Sequence, residues 1–82
     1  MALRLRQLQA FEAVATTGSV TRAAASLSIS QPAVSRLLSS FSDKIAFDLF
    51  IRKNGQLLPT QEARLLLGEV SRVLEGLKNI EE

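Results

Sequence analysis

Residues 31–40 carry polar side chains whose types suit close hydrogen bonding to another molecule. Six residues share the outward face of this segment if it is helical: Gln31, Pro32, Ser35, Arg36, Ser39 and Ser40. Amide, hydroxyl and guanidinium groups can approach base edges and phosphates, whereas an ordinary solvated helix face mixes Glu and Lys. The segment has no carboxylate before Asp43. A serine-rich solvent face on a generic three-helix bundle remains the alternative.

A second basic site is predicted around a tight turn at Asn54-Gly55. These two residues lie between β-prone runs, and they favour a hairpin because both central residues of its turn need positive φ. Arg52 and Lys53 would then lie at the hairpin tip, within reach of phosphates or a minor groove. The alternative is a structural hairpin whose charges are incidental.

Charge is distributed unevenly along this 82-residue chain, whose net charge is +2. Residues 1–53 hold seven basic and three acidic side chains, a net of +4. Residues 54–82 hold three basic and five acidic ones, a net of −2. A basic body followed by an acidic tail is typical of a module that binds a polyanion.

The composition argues against several other kinds of chemistry. Cysteine and histidine are absent, which excludes disulfides, thiolate or imidazole metal sites, and Ser-His or Cys-His catalysis. We therefore expect no catalytic residues, no metal, no cofactor and no enzymatic activity. The apolar runs are far shorter than the ~20 residues that span a bilayer, and no signal peptide is predicted. We expect a cytoplasmic protein that does not enter membranes.

Two short helices joined by three residues form the predicted centre of the chain. The first of them begins after the N-cap Ser19, and the second is predicted over residues 30–45, capped by Ser30. This spacing predicts a helix-turn-helix over about residues 20–39, preceded by a helix over residues 4–17. The hairpin then forms a wing over about residues 48–59.

A long amphipathic helix is predicted from Thr60 to the end of the chain. Eight apolar residues form its stripe: Ala63, Leu66, Leu67, Val70, Val73, Leu74, Leu77 and Ile80. A body of sixty residues cannot cover the whole stripe, so we predict a homodimer through these residues. Basic residues near the start (Arg64, Arg72) and acidic ones near the end (Glu75, Glu81, Glu82) favour an antiparallel pair.

Five motifs occur in order along the chain: Leu8-x-x-Phe11, Gly18-Ser19-x-Thr21-x-Ala23-Ala24-x-x-Leu27, Ser30-Gln31-Pro32-Ala33-Val34-Ser35-Arg36, Leu49-Phe50-x-Arg52 and Pro59-Thr60. Together they resemble the N-terminal DNA-binding domain of LysR-type transcriptional regulators, over essentially the whole chain. The resemblance implies a mainly α fold. A winged helix-turn-helix, with a three-helix core and a two-stranded wing, would occupy residues 3–60, and a dimerising linker helix would occupy residues 61–82.

The resemblance implies sequence-specific binding of double-stranded DNA by a dimer on an interrupted inverted repeat, with the recognition helix 30–45 in the major groove. It assigns base reading to Gln31, Pro32, Ser35 and Arg36. It assigns contacts with the DNA backbone to Ser19, Thr21, Ser30 and Arg52. We add Lys53 to this group because it would lie at the tip of the predicted hairpin.

The resemblance also implies parts that this chain does not contain. Family members carry a further domain that binds a small-molecule effector, and the full-length parent could assemble as a tetramer. We therefore expect a fragment of a bacterial, nucleoid-associated regulator. The junction at residues 59–63 resembles the branch that regulates amino-acid and opine metabolism. Ala46 replaces a common glycine after the third helix, so we expect a strained or reshaped turn there.

Two further interpretations stay open at this point. The first keeps DNA binding but assigns another winged-helix family. The second is a non-catalytic helical protein-interaction module that uses the heptad helix 60–82 and binds no nucleic acid. Salt-dependent binding to a random duplex would separate this second interpretation from the DNA-binding ones.

Overall fold

The computed structural model describes residues 3–81, which form four α-helices and one two-stranded sheet. In chain order the elements are α1 (Leu5–Thr17), α2 (Val20–Leu27), α3 (Gln31–Ser42), β1 (Phe50–Lys53), β2 (Gln56–Pro59) and α4 (Gln61–Glu81). This is the predicted winged arrangement with a long last helix. Glu82, which we placed at the end of that helix, lies outside the described residues.

Small polar residues and one glycine set the ends of the first three helices. The Gly18 amide donates to the Val14 carbonyl at 2.8 Å, and its φ of 75° ends α1 in the left-handed conformation. The Ser19 hydroxyl accepts the Arg22 amide at 3.1 Å, which caps α2. The Ser30 hydroxyl accepts the Ala33 amide at 3.2 Å and caps α3 in the same way. Both predicted N-caps are confirmed.

The first three helices enclose a core of small apolar side chains. Its buried members are Ala10, Val14, Ala23, Ala24 and Val34. Alanine on the facing sides of α1 and α2 lets the two backbones approach closely. The tight packing of α3 against α1 and α2 therefore fixes which of its faces is left for solvent.

A second core joins α1 and α3 to the wing and α4. Its buried members are Phe11, Phe41, Leu49, Ala63 and Val70. The ring of Phe11 lies 5.4 Å from that of Phe41 and 5.6 Å from that of Phe50, measured between centroids. Phe11 thus ties the base of the wing to the helical body.

The wing is a hairpin of two antiparallel strands in which Phe50 pairs with Pro59 and Lys53 with Gln56. Asn54 and Gly55 at its tip have φ values of 54° and 77°, as the predicted turn requires. The Leu57 amide donates to the Gly18 carbonyl at 3.0 Å, which links the wing to the α1–α2 turn. At the base, the Thr60 hydroxyl donates to the Asp48 carbonyl at 2.6 Å and accepts the Ala63 amide at 3.1 Å.

The predicted extent of the recognition helix, residues 30–45, is wrong at its C-terminal end. The helix ends at Ser42, and the amides of Lys44 and Ile45 then bond to carbonyls three residues back, at 3.0 and 3.1 Å. The chain turns here because Ile45 packs against the second core. Ala46 does not adopt positive φ, so the turn is shaped without a left-handed residue at that position.

The prediction that all eight apolar residues of the last helix face a partner is also wrong. Ala63 and Val70 are 0% and 3% exposed, because they fill the second core of their own chain. Leu66, Leu67 and Leu74 are half-buried against the same core, whereas Val73 and Ile80 are exposed. Neither α4 nor any other helix within residues 3–81 is long and apolar enough to cross a membrane.

Candidate nucleic-acid interface

Helix α3 presents a continuous polar face to solvent. Val34 and Phe41 point into the two cores and are fully buried, which turns the opposite side outward. The four predicted base-reading residues are all exposed on that side: Gln31, Pro32, Ser35 and Arg36. Three of them belong to the first five residues of the helix, so its N-terminal half carries most of this face.

One groove collects side chains from α2, α3 and the wing. It has a volume of about 370 Å³, and five of the predicted DNA contacts line it: Ser19, Thr21, Gln31, Ser35 and Arg52. Gly18, Gly55 and Leu57 complete much of its wall, because the wing lies close to the α1–α2 turn. The fold thus brings two base-reading candidates and three backbone candidates onto one concave surface.

The other four predicted contacts lie outside this groove. Arg36 lines a separate groove on the other flank of α3, whereas Ser30, Pro32 and Lys53 line neither groove. Lys53 is exposed at the end of β1, beside the hairpin tip. The hydroxyl oxygen of Ser30 already accepts a backbone amide as a helix cap. A contact from Ser30 to a ligand must therefore use its hydroxyl hydrogen or the free amides of the first turn of α3.

The two grooves that flank the predicted base-reading residues of α3 hold no carboxylate, whereas Asp48 lies beside Ser39 and Ser42 farther along the helix. Glu12 faces α4 instead, where its carboxylate accepts the Ser71 hydroxyl at 2.8 Å. Within residues 3–81, Arg36, Arg52 and Lys53 make no salt bridge, so their charges are available to an anionic ligand. The same part of the chain has no cluster of three or more His, Cys, Asp or Glu that could hold a metal ion.

Comparison with known families decides what kind of chain carries this surface. The family model described as "Bacterial regulatory helix-turn-helix protein, lysR family" matches residues 5–64, which is most of the chain. The chain belongs to the LysR family. The matched segment includes α1, the helix-turn-helix, the wing and the first turn of α4.

Individual LysR-family relatives match nearly the whole chain. It is 44% identical over 78 residues to the HTH-type transcriptional regulator DgcR of Pseudoalteromonas sp, covering 95% of this chain and 27% of that protein. It is equally similar, over 78 residues, to the octopine catabolism/uptake operon regulatory protein OccR of Rhizobium meliloti, with 95% and 26% covered. The chain therefore spans about a quarter of the length of these relatives.

Solved structures share the fold of this LysR-family chain. A crystal structure of a CbnR DBD–DNA complex superposes with a TM-score of 0.85 at 28% identity, covering 96% of this chain and 91% of that one. The superposition extends over the three helices, the wing and the long last helix, so the whole architecture is that of the family.

The sequence analysis missed one buried polar residue, Gln7. It is 1% exposed, and its amide nitrogen donates to the Ser40 hydroxyl at 2.6 Å. Its amide oxygen accepts the Arg4 backbone amide at 2.8 Å and the Lys44 ammonium at 3.5 Å. Gln7 shares the buried face of α1 with Ala10 and Phe11, so its position within the apolar period could have identified it.

Ser40 belongs to this network although it is exposed, as predicted. We placed Ser40 beside the outward row of α3, but its hydroxyl oxygen accepts the Gln7 amide, which ties the C-terminal half of α3 to the N-terminus of α1. The polar face that remains unengaged is therefore concentrated in residues 31–36.

Proposed function

We propose that this LysR-family chain binds double-stranded DNA in a sequence-specific way, as the DNA-binding domain of a bacterial transcriptional regulator. The observation that carries the proposal is the carboxylate-free groove that joins the first turn of α2, the polar face of α3 and Arg52 of the wing. An α-helix fits the major groove, whose base edges offer donors and acceptors to such side chains. The relatives and the DNA complex described above support the same function.

Base reading falls to the exposed side chains of the N-terminal half of α3. Arg36 has the donors to grip O6 and N7 of a guanine, and Gln31 can pair with an adenine. Pro32 offers an apolar ring to a thymine methyl, and Ser35 can donate to or accept from either kind of base. All four are exposed in the free protein, so binding needs no rearrangement of the core.

Backbone contacts come from two directions around α3. The N-termini of α2 and α3 present free amides next to Ser19, Thr21 and Ser30, and such helix ends bind phosphates. On the wing, Arg52 and Lys53 carry positive charges that lie along a DNA strand or enter a minor groove. These contacts set the register of α3 but do not read sequence.

A homodimer through α4 would place two such domains on an interrupted inverted repeat, one recognition helix in each major groove. Because Ala63 and Val70 are buried in the core of their own chain, the proposed interface is formed by other apolar residues of α4. Leu66, Val73, Leu77 and Ile80 fall within an arc of about 60° at 100° per residue, so they form one stripe along the helix. Of the four, Val73 and Ile80 are the most exposed.

Selection of bound sequences from a random duplex pool tests this function. We expect an inverted repeat to emerge, with a spacing that reports the distance between the two recognition helices. A dimer that contacts roughly eight phosphates should show log K falling with log salt at a slope near −7, about 0.9 per phosphate. A chain that dimerises but binds no duplex at any salt concentration would contradict the proposal and favour a protein-interaction module that uses α4.

A further inference from the structure

Helix α3 has two flanks, and DNA in the proposed complex has a strand along each of them. An α-helix with its side chains is about 10–12 Å wide, and the major groove is about 12 Å wide, so a bound helix fills the groove. The two sugar-phosphate strands then run along opposite flanks of the helix. One flank faces the groove with Ser19, Thr21 and Arg52, which supplies backbone contacts to one strand.

The opposite flank carries a second groove that has no assigned role. It has a volume of about 430 Å³ and lies between α1, the α2–α3 turn and α3. Arg36 and Ser40 line it from α3, and Arg6 lines it from the first turn of α1. The floor between the two arginines is apolar: Ile29, Ala33 and Leu37. Such a floor suits the aliphatic stem of an arginine whose guanidinium stays in solvent.

Nothing in the fold explains the charge of Arg6. The side chain is exposed and makes no salt bridge within residues 3–81. It lies in the first turn of α1, which holds no acidic residue, so its charge faces the positive end of the helix dipole and disfavours the helix. The nearby Arg4 adds a second positive charge at the same helix end. A positive charge placed against the stability of its own helix points to an anionic ligand.

We propose that Arg6 binds a phosphate of the DNA strand that runs on the side of α3 away from the wing. Arg6 and Arg52 would then hold the two strands that border the recognition helix, with Arg36 between them at the base edges. This inference rests on the proposed function, since it adds a contact to the same DNA complex. It assigns Arg6 to backbone positioning, and it predicts no effect of Arg6 on which base is read.

Three variants of the dimeric chain test the inference on its selected duplex and on a random duplex. Arg6→Ala removes the contact, and Arg6→Lys keeps the charge. Lys78→Ala is the control, because Lys78 is also an exposed basic residue but lines neither groove and has no assigned role in DNA binding or dimerisation. We expect Arg6→Ala to weaken both duplexes roughly two- to fivefold and to reduce the salt slope by about 0.9 per protomer. Arg6→Lys should retain most of the slope, and Lys78→Ala should match the wild type.

Neutral methylphosphonate linkages at single positions of the duplex then locate the contact. One position in each half-site should weaken the wild type but not weaken Arg6→Ala further. It should lie on the strand opposite to the position identified in the same way with Arg52→Ala. The melting temperature of Arg6→Ala should equal or exceed that of the wild type, since a charge unfavourable to the helix dipole is removed.

The possible results separate this inference from the proposed function. If Arg6→Ala keeps the wild-type slope while the wild type binds DNA, Arg6 is not a phosphate contact and the proposed function stands. An equal loss in Lys78→Ala would also overturn the inference, because it would show a general effect of net charge. If the wild type binds no duplex, the proposed function fails and the inference fails with it.

Discussion

Arg36 and Lys53 carry the same charge, but the proposed complex gives them different roles. Arg36→Ala should cost about 1–3 kcal/mol on the selected site and relax discrimination at one base pair, because a bidentate contact to a base edge is lost. Lys53→Ala should weaken all sequences about equally and reduce the salt slope by about one. Competition among duplexes with single base-pair changes measures both effects. Interchanged results would show that the division between base-reading and backbone residues is wrong.

Gln7 is a single residue whose contacts lie inside the protein rather than at the proposed DNA surface. Its amide satisfies the Ser40 hydroxyl on one side and the Arg4 backbone amide on the other. Gln7→Leu keeps the volume and removes these bonds together with the one from Lys44, so we expect the free energy of unfolding to fall by about 1–3 kcal/mol. Urea denaturation measures this change, with Gln31→Leu on the exposed face of α3 as the control that should leave stability nearly unchanged. Equal stability of the two variants would show that the Gln7 network contributes nothing.

At the scale of elements, Gly18 determines how the wing meets the helices. It ends α1 with positive φ, and its carbonyl accepts the Leu57 amide of the wing. A Cβ at this position would meet the Leu57 carbonyl oxygen at 3.6 Å, an ordinary contact, so the cost of Gly18→Ala comes from the backbone conformation. We expect a loss of about 1–2 kcal/mol in thermal or urea unfolding.

Gly68 gives the opposite expectation and serves as the control for Gly18. It lies within α4, where an added Cβ would meet nothing within 4 Å. Gly68→Ala should therefore stabilise the protein by about 0.5–1 kcal/mol, since alanine is the better helix former. If both substitutions changed stability in the same direction, the left-handed conformation of Gly18 would not be what selects glycine there.

Local chemistry explains why most elements were predictable and why some boundaries were not. Ser19, Ser30 and the Asn54-Gly55 turn act through groups within three residues of themselves, so the sequence contains their whole signal. The end of α3 depends on tertiary packing of Ile45, which no local pattern encodes. The burial of Gln7 could be inferred from the apolar period of α1, but its partner Ser40 could not, because it lies 33 residues away.

The sequence could not show which residues of α4 face the rest of the molecule. The apolar stripe has the period of a two-helix interface, but the same period also suits packing on α1. In the structure Ala63 and Val70 face Phe11 and Phe41 in one core, whereas Val73 is 54% and Ile80 83% exposed. The helix thus has one apolar side for its own chain and an adjoining one that is left uncovered.

This division makes the proposed dimer testable with two variants, one on the exposed stripe of α4 and one on its buried side. Val73→Asp combined with Ile80→Asp places charge on the exposed stripe, so we expect a folded monomer. Val70→Asp buries a charge in the core, so we expect unfolding instead. Circular dichroism separates these results, and sedimentation velocity gives the mass of each folded species. A wild-type chain that sediments as a monomer at concentrations where it binds an inverted repeat would contradict the dimer.

The same variants connect the assembly to DNA binding across the whole molecule. In a dimer the contact with the second half-site is intramolecular. Loss of the dimer should therefore weaken binding to the full inverted repeat by about a hundredfold. Binding to a single half-site should stay close to that of the wild type, because Gln31, Ser35 and Arg36 are untouched. An equal loss on the full repeat and on the half-site would show that the variant disturbs the recognition surface itself.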